Sequence, residues 1–258
     1  MGKIVLRRLL RSPLFTAVTL LTLAIGIGAN TAIFSVVNGV LLKPLPYSDP
    51  DRLVGLWHTS SLSNLEKVNM SPGNYFAYRE QGRAFTDIAL YTQGAVSVTQ
   101  MGVPERVQVL WTTDGFLPIL GIRPELGRFF DRHDDTEGSP RTALLTYGYW
   151  KTKFGGAPSA IGKTILTDGE QRQIIGVLPG DFHFMDAQTQ MILPLQFNRG
   201  KTVLGNFSYN GIGRLKPGVT LAAANADVRR IIPLWLNMFP PPPGFTTGLF
   251  ADAHLGPA

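Results

Sequence analysis

From Leu14 to Leu42 the chain is mostly apolar, 29 residues that include no charged side chain. A helix needs roughly 20 such residues to cross the hydrocarbon of a bilayer. At ~1.5 Å per residue this run reaches about 43 Å. The pattern therefore predicts a transmembrane helix over 14–42, with one end projecting beyond the bilayer. A cleaved signal peptide has a shorter apolar region, about 7–15 residues, and a small-residue cleavage site. No A-x-A site closes this run, so a retained anchor is favoured over a cleaved signal or a buried soluble helix. Ala24, Gly28 and Ala32 recur every fourth residue and share a face, the small-xxx-small spacing that lets two membrane helices approach. Asn30 and Asn38 lie on a nearby stripe with Phe34 between them. That face predicts packing against another membrane helix, although Asn38 alone suits the headgroup region equally well. Gly26 and Gly28 also spell G-x-G, but a dinucleotide loop needs a strand before it and an acidic residue about 20 positions on. Gly26 and Gly28 instead sit inside one continuous apolar helix pattern.

Beyond Leu42 the period shortens. "KPLPYSDPDRLV" is an extended linker over 43–52 that leads into a strand near Leu53–His58. Ser61–Met70 reads as an exposed loop. Ser71 caps a helix with Pro72 at its first position and an end by Gly82. Short strands are expected at Ile88–Tyr91 and Ala95–Thr99, and a longer alternating one at Glu105–Thr113. "DGFLPILGI" predicts a short helix capped by Asp114 and stopped by Gly121. A polar loop follows, then a strand at Thr142–Leu145 and a helix over Tyr147–Phe154. Lys163–Leu166 and Arg172–Val177 flank Asp168-Gly169, a strong hairpin signal. "MILPLQF" reads as a strand, and Gly211–Val219 as a strand and turn. Thr220 caps a helix over Leu221–Ile232 that Pro233 ends. Residues 233–258 form a flexible Pro/Gly-rich tail in this reading. Strands dominate among three or four helices, so the class is α+β.

The 258 residues carry a net charge of +6. Lys3, Arg7, Arg8 and Arg11 supply most of the excess, and no acidic residue precedes Leu42. The rest of the chain is near neutral, which removes the basic stripe that a nucleic-acid partner requires. The cluster instead sets topology. Cytoplasmic flanks are rich in Lys and Arg, so the N-terminus is expected inside and the main domain outside. The sequence has no cysteine, which excludes disulfides, thiolate metal sites and a cysteine nucleophile.

No catalytic constellation is visible, and the chain does not read as an enzyme. His58, His133, His183 and His254 fall in no recognised motif; His183, flanked by aromatics, reads as part of a strand or turn surface. The run Asp131, Asp134, Asp135, Glu137 lacks the alternating spacing and central glycine of a calcium loop and reads as a solvated loop. Gly162-Lys163-Thr164 matches only the end of a phosphate-loop motif, since Ala157 stands where the first glycine belongs. No cofactor or metal is implied.

The order of blocks carries a resemblance. "LRRLLRSPLFTAVTLLTLAIGIGANTAIFSVVNGVLLKPLPYSDPDRLV" resembles the N-terminus of MacB/FtsX-like ABC transporter permeases, in particular the large acidobacterial-type members. "SPGNYFAYREQGRAFTDIALY", "PERVQVLWTTDGFLPILGIRPELGRFF", "LLTYGYWKTKFGGAPSAIGKTILTDGEQRQIIGVLPGDFHF" and "GIGRLKPGVTLAAANADV" resemble successive blocks of the periplasmic core domain. Together they cover about residues 3–232. The resemblance implies a bacterial inner-membrane permease subunit paired with a separate cytoplasmic ABC ATPase. It also implies a homodimer through membrane helices and a periplasmic partner. Its core domain, here 53–232, would have a porter-like part split between Leu53–Phe85 and Met191–Ile232, with a strand-rich insert at about 86–190. Membrane helices would pass ATP-driven motion outward. Family members continue into further membrane helices, so this chain is expected to be a fragment of a permease. A membrane-anchored periplasmic interaction module without ATPase coupling remains the alternative.

Overall fold

The computed structural model describes residues 13–37, 47–61, 64–185 and 188–257. The chain divides into two compact units, Met1–Pro46 and Tyr47–Ala258. In the first, helix α1 spans Pro13–Val37. Pro13 occupies the first helical position, where a missing N–H leaves no bond unmade. The hydroxyls of Thr19, Thr22 and Thr31 donate to the carbonyls of Phe15, Val18 and Ile27, so these three polar groups are satisfied within the helix. Residues 38–42 of the expected span, with Asn38 and the basic cluster Lys3, Arg7, Arg8 and Arg11, lie outside the described residues.

The second unit begins with two strands where one was expected. β1 (Leu53–Leu56) and β2 (His58–Ser60) separate at Trp57. β3 (Leu65–Val68) occupies the stretch read as a loop, and pairs antiparallel with β2. Its side chains are mostly exposed, which is why its pattern looks loop-like. α2 (Pro72–Gln81) starts as the sequence dictates: Ser71 Oγ accepts from the Asn74 N–H at 3.1 Å, and Asn74 answers as the other half of a capping box.

β4 (Phe85–Thr99) is one strand of 15 residues, not two short ones. Gly94 lies between the two strands that were expected. It makes room instead, because a Cβ there would stand 3.3 Å from the indole nitrogen of Trp111 on the neighbouring β5 (Glu105–Thr112). α3 (Phe116–Leu120) follows and ends at Gly121, whose φ of 72° suits a left-handed terminus. Its N-cap is Gly115, not Asp114. β6 (Leu126–Gly127), β7 (Thr142–Leu145), α4 (Tyr147–Phe154), β8 (Thr164–Thr167) and β9 (Glu170–Val177) come next. Asp168 and Gly169 both have positive φ, as the tight turn between β8 and β9 requires.

β10 (Met191–Pro194) and β11 (Asn210–Leu215) complete the main sheet. α5 (Leu221–Met238) is capped by Thr220 but does not end at Pro233; it continues for five more residues. The stretch read as a flexible tail holds the last turn of α5, then α6 (Thr247–Asp252) and β12 (Leu255–Pro257). β12 pairs antiparallel with β2.

The main sheet runs β1-β11-β4-β5-β10-β7-β9-β6, and β8 pairs with both β4 and β9. The pairing therefore closes on itself through β4, β5, β10, β7, β9 and β8, a small barrel. Val96, Val107, Ala143, Leu145, Ile174 and Met191 belong to its core. Alternate residues of the same strands, Leu110, Leu144, Ile175 and Ile192, join a different core with α3. Burial on both faces is why β7 and β10 read as unbroken apolar runs rather than alternation. A third core lies among α2, α5 and the first half of β4, around Tyr78, Ile88, Leu90, Val228 and Trp235.

Candidate functional site: a membrane helix and a charged cleft

Two features stand apart from the packed cores. The first is α1, long and apolar enough to cross a membrane over Pro13–Ser35, with none of that length buried. Ala24, Gly28, Asn30 and Ala32 are all exposed on it. A Cβ added at Gly26 or Gly28 would meet nothing within 4 Å.

The second is a cleft of about 250 Å³ where α2 faces the 132–137 loop and residues 197–200. Helical spacing puts Tyr75 and Arg79 on one face of α2. Arg79 holds Asp114 through two bonds of 2.5 and 3.1 Å and Asp87 through Nε at 3.0 Å. It also donates to the Tyr75 hydroxyl. Tyr75 is buried, which pushes its phenol well above the ordinary range. Asp135 sits behind this pair. Its two oxygens accept from the Gln196 N–H at 2.8 Å and the Asp114 N–H at 3.0 Å. Burial nevertheless pushes its carboxyl up to about 7. At the rim, Glu80 pairs with Arg199 and Glu137 with Lys201.

The rim charges pair one to one, while Arg79 is shared between Asp114 and Asp87. The acidic run is spent in the same way. Asp134 pairs with Arg128 and also accepts from the Asp131 N–H at 2.9 Å. Asp131 accepts from the His133 and Asp134 amides at 2.8 and 3.0 Å. The reading of a solvated loop is corrected for Asp134, which is 2% exposed, because its carboxylate holds the loop together from within. Among the described residues no group of three or more His, Asp or Glu side chains could hold a metal ion.

The histidines are scattered. His58 is buried and shares a 2.5 Å hydrogen bond with the Tyr78 hydroxyl, and burial lowers it to about 4. His133, His183 and His254 are exposed, as the sequence implied for His183. Gly162-Lys163-Thr164 leads into strand β8 rather than a helix, so no phosphate loop forms. The Arg79–Asp114 pair was missed in the sequence because its members stand 35 residues apart. The only local signal was Tyr75 and Arg79 on one helical face.

A family model described as the MacB-like periplasmic core domain matches residues 16–231. No curated protein sequence matches the chain. Among solved structures, the periplasmic region of MacB from Actinobacillus actinomycetemcomitans is similar at 12% identity and a TM-score of 0.55, over 80% of this chain and 88% of that one. The extracellular domain of the noncanonic ABC-type transporter YknZ from Gram-positive bacteria aligns at 15% identity and a TM-score of 0.52, over 70% and 94%. A permease-protein domain from Porphyromonas gingivalis aligns at 18% identity and a TM-score of 0.58, over 82% and 90%. At these identities the structures speak for the fold, and the family model spans most of the sequence. The chain belongs to the family of the MacB-like periplasmic core domain, found in permeases of ABC-type transporters.

Proposed function

We propose that this protein is a permease subunit of an ABC-type export or mechanotransmission complex, driven by a separate cytoplasmic ATPase. One observation carries the reading: a charge-free apolar helix and a MacB-like periplasmic core share one chain, and the family match begins inside that helix, at residue 16. In this reading Lys3, Arg7, Arg8 and Arg11 hold the N-terminus in the cytoplasm. The strand-rich domain lies outside the inner membrane, where a periplasmic partner meets it. Two subunits pair through the face of Ala24, Gly28 and Ala32, which is exposed among the described residues and where a Cβ at Gly28 would meet nothing within 4 Å. The split porter-like part, 53–85 with 191–232, draws support from the core around Trp235, to which both sequence segments contribute. The insert at about 86–190 draws support from the barrel core, which lies mostly within it.

The test is affinity capture of the protein from membranes of its native host, with mass spectrometry for an ABC-type ATPase. Co-recovery of such an ATPase is the expected result. Recovery of the intact protein without one counts against the reading and favours an anchored interaction module. Native electrophoresis of the same detergent extract, with and without Gly28→Leu, tests the pairing. The variant is expected to run as a monomer where the wild type runs as a dimer; unchanged migration would remove the packing face from the account.

A further inference from the structure

The segment through which the chain enters the strand-rich domain, 47–52, is held by an unusual concentration of bonds from residues far away in sequence. Arg214, on β11, is 9% exposed. Its guanidinium donates to three backbone carbonyls: Ile119 at 2.7 Å, Ser48 at 2.6 Å and Asp49 at 3.2 Å. Ile119 lies in the last turn of α3, where helix carbonyls lack partners of their own. One side chain therefore ties the incoming segment and the end of α3 to β11, the strand next to the edge strand β1. The tie is reciprocated. Arg52 reaches back from the segment and donates from Nε to the Leu215 carbonyl at 2.9 Å. Tyr47 donates its hydroxyl to the His183 carbonyl at 2.5 Å. Ser48 packs so closely on Gly121 that a Cβ there would stand 2.7 Å from the serine Cβ.

The strand that carries Arg214 matters. β11 lies between β1 and β4, paired antiparallel with both. A force on residue 47 that acted on β1 alone would peel an edge strand, breaking its ladder one bond at a time. Through Arg214 the same force reaches the next strand inward, and α3 with it. A guanidinium suits the task, since it offers five donors in a rigid fork while a lysine ammonium offers a point charge.

We propose that Arg214 is a positioning residue, a clasp that fixes the incoming segment to β11 and α3, so that movement arriving along the chain is delivered past the edge strand β1 to β11 and α3. The delivery half rests on the proposed permease function; the clasp half does not.

Hydrogen exchange with mass spectrometry on the full chain in nanodiscs, without ATPase, tests the clasp. Arg214→Gln is expected to speed exchange at least about tenfold in peptides covering 47–56 and 116–122, the scale expected when charge-assisted bonds are lost from a locally opening segment. Exchange in the β8–β9 hairpin stays at the wild-type rate. Arg214→Lys, which keeps the charge, gives an intermediate rate and guards against a variant that fails to fold. Unchanged exchange in both peptides, or an equal rise in the hairpin, overturns the proposal. The complex with its ATPase then reads delivery. Nucleotide-dependent exchange in β11 that Arg214→Gln abolishes is expected. Nucleotide-dependent exchange that persists in the variant overturns delivery through Arg214. No nucleotide response in the wild type overturns the permease reading and leaves the clasp standing.

Discussion

Asp135 occupies a position whose composition was plain and whose environment was not. The run from Asp131 to Glu137 is legible as a polar loop. Nothing local says that its fifth residue turns inward behind Arg79 and Asp114. Burial raises its carboxyl to about 7, against an ordinary aspartate value near 4. The folded state therefore holds a proton that the unfolded chain has already released between about pH 4 and 7. The stability this group contributes is complete below that window and is lost as the pH rises through about 7. His58 works in the opposite sense. Lowered to about 4 by burial, it contributes stability above its ordinary pKa near 6.5, and that contribution is lost as the pH falls towards 4. Comparison with Asp135→Asn isolates the aspartate, because His58 is common to both proteins. The urea midpoint of the wild type minus that of the variant should shrink steadily from pH 4.5 to pH 8. A difference independent of pH would falsify the assignment.

At the scale of elements, Gly73 shows how packing reverses a propensity. Alanine in place of glycine within a helix ordinarily stabilises by about 1 kcal/mol. On α2, however, a Cβ at Gly73 would stand 2.6 Å from the indole nitrogen of Trp235 and 3.4 Å from Phe239. Trp235 is fully buried on α5. Gly73→Ala should therefore destabilise, by about 1–3 kcal/mol as overpacked sites do, and lower the Tm by several degrees. A Tm equal to or above the wild-type value would mean that the two helices adjust freely.

The same pair of aromatics explains why Pro233 fails to end α5. Proline removes one backbone donor and crowds the preceding turn, and on sequence grounds that is a stop. Pro233 sits on the exposed face, while Trp235 and Phe239 beyond it are buried against α2 and against Phe207 and Phe250. The burial of those rings outweighs the lost bond. Element types were legible where periodicity or turn chemistry was local: the Ser71 cap, the Asp168-Gly169 turn, the apolar run of α1. They were illegible where a distant partner decided the outcome, as at Gly94 under Trp111, in the exposed strand β3, and beyond Pro233. The same holds for the candidate site. The apolar helix can be read directly, whereas the Arg79–Asp114 pair of the cleft and the bond from Arg214 to Ser48 join residues 35 and 166 apart.

Across the whole molecule, the ring of strands is the feature that no local pattern announces. β8 meets β4 through only two residue pairs, Val98 with Thr167 and Thr99 with Leu166, yet this contact closes the barrel and leaves β4 without a free edge there. β4 also serves every core. Ile88 and Leu90 enter the one under α5, Ala89 the one under α3, and Val96 and Val98 the barrel. The proposed boundary between porter-like part and insert, at Phe85 and Thr86, falls at the very start of this strand.

An insertion that shares its first strand with its host is not a removable module. Deleting 86–190 and bridging the gap with a short loop would take away β4, one of the two partners of β11, and the floor of the α2–α5 core, so the remainder should not fold. For the same reason the strand-rich domain should melt as one body. Calorimetry should show a single heat-absorption peak whose van't Hoff and calorimetric enthalpies agree, where a host with a separable guest would show two. Grafting the insert of one relative onto the porter-like part of another therefore calls for carrying β4 whole, together with the strand on each side of it.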